Sequence, residues 1–347
     1  MNRGRRRIAV IGAGSWGTTL ANLLAEKEEE VLLWVYEEDL FRVLSAKREN
    51  DFFLPGVRLA DSLRFSHSLE EALAERETVV CAVPSHAVRE VFLRARPHLS
   101  RKALLISVTK GLEDGTHLPM SRVLQEVMGS GTKAEIAALS GPSFAGEVSR
   151  RIPTAVAAAG TTFRAAQKAQ DLFFRPYFRV YTNPDLIGVQ LGGAIKNVMA
   201  IAAGASDGMG FGHSSRAALI TRGLAEMTRL GVSMGAQRET FFGLAGLGDL
   251  VLTCTGDLSR NRQVGLELGR GKALQEILGG MRMVAEGVRT AKALWELARI
   301  QKVEMPIAQN VYEILYQKKS PREAVQELMS RLPRSEQEDL PVDSSHV

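Results

Sequence analysis

Residues 7–17 of the chain read R-I-A-V-I-G-A-G-S-W-G, a short apolar run followed by three closely spaced glycines. The run predicts a buried strand, and the apolar periodicity that begins at about Ser15 predicts a helix. Between them, Gly12, Gly14 and Gly17 form the pattern G-x-G-x-x-G. In the first strand–turn–helix of an α/β domain, such glycines permit a tight turn, close approach of a pyrophosphate and close helix packing. The stretch therefore predicts a nucleotide-binding turn with phosphates at the helix N-terminus.

Strand signals alternate with helical periodicity as far as residue 185, which predicts a parallel sheet covered by helices on both faces. We therefore expect a Rossmann-like α/β domain over residues 1–185. Its further strands are predicted at Val31–Tyr36, Thr78–Val83, Ala103–Val108, Ala134–Leu139, Thr154–Ala159 and Phe178–Tyr181.

The chain changes character after residue 185. Helical periodicity continues to Arg331 with almost no strand signals, which predicts an all-α domain over residues 186–332. Ser320 and Glu323 form a capping box with a proline at the first helical position, so a last helix should start there. Residues 333–347 are polar and acidic without a core pattern, and we expect a disordered tail.

Composition limits the function classes. A chain of 347 residues, 45% hydrophobic and 24% charged, is typical of a soluble globular protein. The net charge of +5 is a modest excess without a clustered basic face, which argues against a nucleic-acid partner. Cys81 and Cys254 provide neither a disulfide framework nor zinc-ligand spacing, so we expect no metal and a reduced, cytoplasmic compartment. The first apolar run is too short for a signal peptide.

Lys196 is the only charged residue between Leu186 and Ser206, on a predicted buried helix. An ammonium there is costly to desolvate, and burial lowers the pKa of a lysine, which suits proton transfer. A lysine that reaches the surface along its apolar stem is the alternative. A membrane span is disfavoured, because a central lysine costs roughly 2.5–3.5 kcal/mol on insertion. Asp249 is the natural counter-charge, although it could instead cap a helix.

Three further polar clusters follow predicted strands or loops. Lys110 comes after a buried strand, at the sheet edge where open α/β folds bind ligands. The segment Ser140–Ala145 also follows a strand, and its backbone N–H groups and hydroxyls suit a phosphate or a hydroxyl. The segment Ser259–Arg262 contains two arginines, and the planar guanidinium of an arginine can donate two parallel hydrogen bonds to the oxygens of a phosphate. Taken singly, these could be a surface lysine, an ordinary turn and a solvated basic turn.

The end of the second predicted strand, Tyr36-Glu37-Glu38, is where such domains distinguish the two coenzymes. An acid there favours a free ribose 2′-hydroxyl and hence NAD, while Arg42 lies close enough to leave NADP open.

Taken in order, these motifs resemble the NAD(P)-dependent glycerol-3-phosphate dehydrogenase family, bacterial type. The resemblance runs to about Glu286 and is carried by Gly12–Gly17, Leu54-Pro55-Gly56, Val83-Pro84-Ser85, Lys110-Gly111-Leu112-Glu113, Gly141-Pro142-Ser143-Phe144-Ala145, Lys196-Asn197, Gly248-Asp249-Leu250, Ser259–Arg262 and Val284-Ala285-Glu286-Gly287.

The resemblance implies reversible reduction of dihydroxyacetone phosphate to sn-glycerol 3-phosphate, which supplies glycerophospholipid synthesis. It also implies a cytoplasmic homodimer, a dissociable NAD or NADP and no membrane span. Lys196 is implied as the proton-transfer residue, with Asp249 beside it. The substrate contacts implied are Lys110, Gly141, Ser143, Lys196, Asp249, Ser259, Arg260 and Asn261. The cofactor contacts implied are Gly12, Gly14, Ser15, Trp16, Gly17, Tyr36, Lys110, Ala145, Arg260, Val284 and Glu286. Many family members have an arginine near Tyr36, and its absence here puts a preference for NADP in doubt.

Two other functions are compatible with parts of the pattern. A related two-domain dehydrogenase of the ketopantoate or 6-phosphogluconate type would need donors for a carboxylate, and Ser259–Asn261 could supply them as well as it supplies donors for a phosphate ester. A nucleotide-binding redox sensor without turnover would leave Lys196 unexplained.

Overall fold

The computed structural model describes residues 6–27, 29–281, 285–333 and 335–336. The chain divides into two compact units, residues 1–190 and 191–347. The boundary predicted after residue 185 coincides with the start of a long helix at Leu186. Of the predicted tail, residues 334 and 337–347 lie outside the described residues.

The first unit is an α/β sandwich. Its strands are β1 (Arg7–Ile11), β2 (Glu30–Trp34), β3 (Glu49–Asn50), β4 (Leu54–Arg58), β5 (Arg64–Ser66), β6 (Thr78–Cys81), β7 (Leu104–Ser107), β8 (Glu135–Ser140), β9 (Thr154–Gly160) and β10 (Phe178–Asn183). Its helices are α1 (Ser15–Ala25), α2 (Glu38–Lys47), α3 (Leu69–Leu73), α4 (Val88–Ala95), α5 (Met120–Met128), α6 (Ala145–Ser149) and α7 (Phe163–Phe173).

Eight strands form one sheet in the order β10-β9-β8-β7-β6-β1-β2-β5. Alternate residues of β1 enter two different apolar clusters, Ile8 and Val10 in one and Ala9 and Ile11 in the other. Because successive side chains of a strand point to opposite faces, the sheet is covered on both sides. The predicted α/β domain is confirmed.

The sheet departs from the parallel expectation in one respect: β9 pairs antiparallel with β8, and β10 follows β9 in parallel. Residues 141–153 return the chain at the edge where β8 ends, without crossing the sheet, so β9 runs the opposite way. The pair β3–β4, which contains Leu54-Pro55-Gly56, forms a separate two-stranded sheet that the sequence did not predict.

The described part of the second unit is helical, as predicted. Its elements are α8 (Leu186–Gly208, which begins before the division), α9 (His213–Ser233), α10 (Arg238–Phe241), a π-helical turn (Leu244–Gly248), α11 (Asp249–Thr255), α12 (Arg260–Gly269), α13 (Leu274–Gly279), α14 (Glu286–Gln301), α15 (Pro306–Tyr316) and α16 (Pro321–Met329). The capping box of Ser320 and Glu323 at the start of α16 is confirmed.

Helix α8 is long and apolar enough to cross a membrane by length and composition alone, yet 83% of its most apolar window is buried inside the protein. We therefore interpret it as a core helix, which explains its apolar residues on every side.

The two cysteines are buried, Cys81 on β6 and Cys254 on α11. Burial raises the pKa of each thiol to about 12.

Candidate active site

The glycine turn before α1 shows a different constraint at each glycine. Gly12 has a positive φ of 114°, and a Cβ there would lie 2.9 Å from the carbonyl of Ala82. A Cβ on Gly17 would lie 2.0 Å from the carbonyl oxygen of Gly12, whereas one on Gly14 would meet nothing within 4 Å. The outer glycines are therefore required by the protein's own packing, and the middle one leaves open space in front of the helix.

The N-terminus of α1 has features that fit an anionic ligand. Gly14 is the N-cap residue, makes no side-chain cap and is followed by no acid in the first turn. The indole Nε1 of Trp16 is buried and has no hydrogen-bond partner among the described residues. Helix N-terminal N–H groups and an unused indole donor suit the phosphates and polar edge of a dinucleotide.

Lys110, Gly141 and Ser143 lie together where β7 and β8 end. The Lys110 Nζ donates to the carbonyl oxygen of Gly141 at 2.9 Å, and the Ser143 hydroxyl donates to the same oxygen at 3.1 Å. Gly141 has a φ of 145°, and a Cβ there would lie 2.9 Å from the Cα of Val156. Close packing against β9 therefore explains the glycine. Ala145, which opens α6, accepts a hydrogen bond from Thr19 of α1 at 3.4 Å.

Lys196 is 7% exposed on α8 and is paired with an acid. Its Nζ lies 2.8 Å from Oδ1 of Asp249, which is 1% exposed, and it donates to the Thr253 hydroxyl at 2.7 Å. That hydroxyl in turn donates to the Asp249 carbonyl oxygen at 2.6 Å. Asp249 is the first residue of α11 rather than its cap, which is Gly248. The structure thus surrounds the ammonium with two oxygen acceptors.

Close packing places Asp249 beside the lysine. A Cβ on Gly192 of α8 would lie 2.3 Å from the carbonyl oxygen of Ala245. The π-helical turn therefore touches α8 through its backbone, and α11 starts directly afterwards. Sequence reasoning assigned no role to Thr253, although its position four residues after Asp249 on a helix was the available signal.

The segment Ser259–Asn261 opens α12. The Ser259 hydroxyl caps the helix by accepting from the backbone N–H of Arg262 at 3.2 Å. The Asn261 side chain donates to Oδ1 of Asn197 at 2.9 Å and accepts from the N–H of Gly287 at 2.9 Å. It therefore connects the residue beside the lysine with the start of α14.

Arg260 and Glu286 are electrostatically coupled. Desolvation lowers the pKa of the Arg260 guanidinium and the Glu286 carboxylate raises it. The Arg260 side chain is exposed and a guanidinium stays charged in proteins, so Arg260 is a cation.

The other expected cofactor contacts are dispersed. Tyr36 stands just after β2, 61% exposed, with its ring edge-on to Trp34 at 5.9 Å. Val284 lies outside the described residues. Within the described part of the chain, no three His, Cys, Asp or Glu side chains are grouped to hold a metal ion.

Comparisons with known proteins match both units. Family models described as NAD-dependent glycerol-3-phosphate dehydrogenase N-terminus and C-terminus match residues 7–166 and 185–326. Proteins named glycerol-3-phosphate dehydrogenase [NAD(P)+] from Geobacter sp. (strain M21) and Citrifermentans bemidjiense are each 57% identical over 330 residues, covering 95% of this chain and 98% of theirs. The crystal structure of a glycerol-3-phosphate dehydrogenase from Coxiella burnetii superposes with a TM-score of 0.91 at 41% identity, covering 94% of this chain and 99% of that one.

Proposed function

The chain belongs to the NAD-dependent glycerol-3-phosphate dehydrogenase family, and we propose that it interconverts dihydroxyacetone phosphate and sn-glycerol 3-phosphate with NAD(P)H, Lys196 acting as the proton-transfer residue. The observation that carries the assignment to Lys196 is its buried ion pair with Asp249 at 2.8 Å. Buried charges are retained where they are paired, and a buried lysine in an active site is available for acid–base chemistry.

The residues of the glycine turn fit a dinucleotide, and a bound nicotinamide supplies the hydride that the carbonyl carbon accepts. We assign the pyrophosphate to the N-terminus of α1 and the unused indole donor of Trp16 to the same ligand. The full set of cofactor contacts that we propose is Gly12, Gly14, Ser15, Trp16, Gly17, Tyr36, Lys110, Ala145, Arg260, Val284 and Glu286.

Lys196 supplies the proton that the carbonyl oxygen needs when the carbonyl is reduced. The Asp249 carboxylate at 2.8 Å favours the ammonium form of the lysine, and Thr253 fixes the direction of one of its N–H groups. In the oxidative direction the same nitrogen must first lose its proton to act as a base. The ion pair therefore favours the reductive direction near neutral pH.

Ser259, Arg260 and Asn261 are the phosphate contacts that we propose in the second unit, with Lys110, Gly141 and Ser143 as the substrate contacts of the first. The Arg260 guanidinium offers two parallel N–H groups to phosphate oxygens. The Asn261 side chain uses one Nδ2 hydrogen and its Oδ1 within the protein, which leaves its second Nδ2 hydrogen and its backbone N–H in the first turn of α12 as the groups that we propose to donate.

The remaining assignments follow the family. We propose a dissociable NAD or NADP, a cytoplasmic homodimer and supply of glycerol 3-phosphate for glycerophospholipid synthesis. Glu38, the first residue of α2, pairs with Arg42 at 2.5 Å, so the nearby arginine already has a carboxylate partner. Glu37 is a second acid between β2 and α2, which supports NAD. Initial rates with NADH and NADPH at equal concentration measure the preference.

Lys196→Met tests the central assignment. The thioether fills the space of the lysine stem but donates no proton, so turnover of dihydroxyacetone phosphate, followed at 340 nm, should fall by about a hundredfold or more. NADH binding, followed by fluorescence titration, should persist.

The matched control is Lys292→Met, at an exposed position on α14. It should turn over like the unchanged chain. Near-normal turnover in Lys196→Met would remove the lysine from the mechanism. A 2-keto acid in the same assay separates the proposal from a hydroxy-acid dehydrogenase, which would reduce it in preference to the phosphate ester.

A further inference from the structure

Asp207, near the C-terminal end of α8, is a buried carboxylate shared by arginines from two other helices. Arg216 of α9 donates to Oδ1 from Nε at 2.9 Å and from Nη2 at 2.7 Å. Arg262 of α12 donates to Oδ2 from Nε at 3.1 Å and from Nη2 at 2.8 Å. The Asp207 side chain is 6% exposed, so the four charge-assisted hydrogen bonds are largely shielded from water. One carboxylate thus holds three helices together.

The backbone of Arg262 is also fixed against α8. A Cβ on Gly204 would lie 2.0 Å from the carbonyl oxygen of Arg262, and a Cβ on Gly265 would lie 2.0 Å from the carbonyl oxygen of Ile201. The two helices therefore touch through their main chains where Arg262 reaches Asp207. Little room remains for α12 to slide, and its side-chain contacts decide how its first turn is oriented.

A second contact lies nearer the N-terminus of α8, where Asn261 donates to Asn197 at 2.9 Å. Asn197 and Asp207 are about ten residues apart, or roughly 15 Å along the helix axis. The start of α12 is therefore bonded to α8 at two well-separated points. Two such points define an orientation, whereas one would define only a position.

We propose that Asp207 is a positioning residue for recognition of the substrate phosphate, acting through Arg262 on Ser259–Asn261. The inference rests on the function proposed above for that segment. A guanidinium meets a phosphate with two parallel hydrogen bonds only within a narrow range of orientations. A displacement of about 1 Å at such a contact costs on the order of a hundredfold in rate. Loss of the Asp207 charge removes both hydrogen bonds between the Arg262 guanidinium and α8. The guanidinium keeps its ion pair with Asp257 at 3.0 Å, but that carboxylate is 95% exposed and is therefore a weak anchor. The turn that carries Arg260 is then held less firmly.

Asp207→Asn tests the proposal, because it keeps the side-chain volume but removes the charge that holds two guanidinium groups. Rates are compared at saturating NADH for dihydroxyacetone phosphate and for dihydroxyacetone, which lacks the phosphate. We expect kcat/KM for the phosphorylated substrate to fall about tenfold to a hundredfold, chiefly through KM, and kcat/KM for dihydroxyacetone to stay within about twofold. An equal loss on both substrates, or no loss on either, would overturn the proposal.

Two further variants separate positioning from general stability. Arg216→Gln removes the partner on α9 and leaves Arg262 with Asp207, so it should lower the urea midpoint and leave the ratio of the two kcat/KM values unchanged. Arg262→Lys keeps a charge but loses the fork, and it should lower the same ratio. This variant decides the matter if Asp207→Asn does not fold.

Arg260→Ala distinguishes failure of this inference from failure of the proposed function. If Arg260→Ala leaves the preference for the phosphorylated substrate intact, the phosphate assignment of the segment is wrong. If it abolishes that preference while Asp207→Asn and Arg262→Lys do not lower it, the positioning role alone is wrong.

Discussion

Glu226 on α9 is almost fully buried, and backbone N–H groups donate to its carboxyl, with Arg229 and Arg222 near enough to act on it electrostatically. Its carboxyl oxygens accept from the N–H of Ile307 at 2.7 Å and of Ala308 at 3.1 Å, at the start of α15. Burial raises the pKa of this carboxyl to about 7, and the two backbone hydrogen bonds oppose the shift without cancelling it. Desolvation is therefore the dominant effect, and Glu226 should titrate near neutral pH.

The raised pKa makes the stability of the protein depend on pH through Glu226. The Glu226 carboxyl has a pKa of about 7 in the folded chain and the ordinary value of 4.5 in the unfolded chain. It therefore binds its proton more tightly when the protein is folded. The stability that it confers is therefore complete below pH 4.5 and is lost as the pH rises through 7. The shift corresponds to roughly 3 kcal/mol. Between pH 5 and pH 8, the urea midpoint of the unchanged chain should fall by more than that of Glu226→Gln, which does not titrate.

Glu276→Gln, at an exposed position on α13, is the control and should show the same pH dependence as the unchanged chain. Parallel pH profiles for the unchanged chain and Glu226→Gln would contradict the expectation.

Some single residues could be predicted from the sequence and others could not. Lys196 was identifiable because it is the one charge between Leu186 and Ser206, and the lone acid in a glycine-rich stretch was its natural partner. Asp207 and Glu226 gave no such signal, because their partners lie on other helices. Arg216 and Arg262 are 9 and 55 residues from Asp207, and Ile307 is 81 residues from Glu226. Their importance comes from tertiary packing, which local spacing does not encode.

Helices α8 and α12 are packed so closely that their glycines act as spacers. Gly265→Ala would place a Cβ 2.0 Å from the carbonyl oxygen of Ile201 and 2.8 Å from the N of Ala205, both of them backbone atoms that cannot rotate aside. We expect the variant to lose about 1–3 kcal/mol of unfolding free energy or more through overpacking, as measured by urea denaturation.

Gly279→Ala is the matched control, because a Cβ there meets nothing within 4 Å. It should be neutral or stabilising by up to about 1 kcal/mol, since alanine restricts the unfolded chain. A midpoint for Gly265→Ala as high as that of Gly279→Ala would mean that α8 and α12 are not in backbone contact.

Among the secondary-structure elements, those with a clear hydrophobic periodicity were predicted best from the sequence. The apolar strands and the start of the long helix at Leu186 are recovered. The pair β3–β4 was missed because it has no apolar run and contains Pro55, which is suited to edge positions. The reversed direction of β9 was missed because a buried strand has the same residue pattern in either orientation.

At the scale of the whole chain, composition and element order were sufficient for the two-part organisation, an α/β unit followed by a helical one. The distances and hydrogen bonds of the candidate site could not be predicted from composition and element order. The positions of the Lys196, Asp249 and Asn261 side chains depend on contacts between helices that are far apart in the sequence. Motif order could indicate which residues matter, whereas only the folded chain shows how they are bonded.

The buried cysteines allow the opening of each unit to be measured separately in the intact protein. Cys81 lies in the first unit and Cys254 in the second, and the chain has two cysteines in all. With both pKa values raised to about 12, neither thiol is ionised at neutral pH. An alkylating reagent should therefore react only after local unfolding, far more slowly than with an unfolded peptide.

Peptide mass spectrometry would resolve the two alkylation rates without any substitution. NADH at a hundred times its dissociation constant should slow the labelling of Cys81 by up to about a hundredfold, because it binds the folded glycine turn. Labelling of Cys81 at the rate of a free thiol, or at a rate that NADH does not change, would contradict this expectation. Two residues without a role in the proposed chemistry thus become separate kinetic probes of how often each half of the protein exposes its interior.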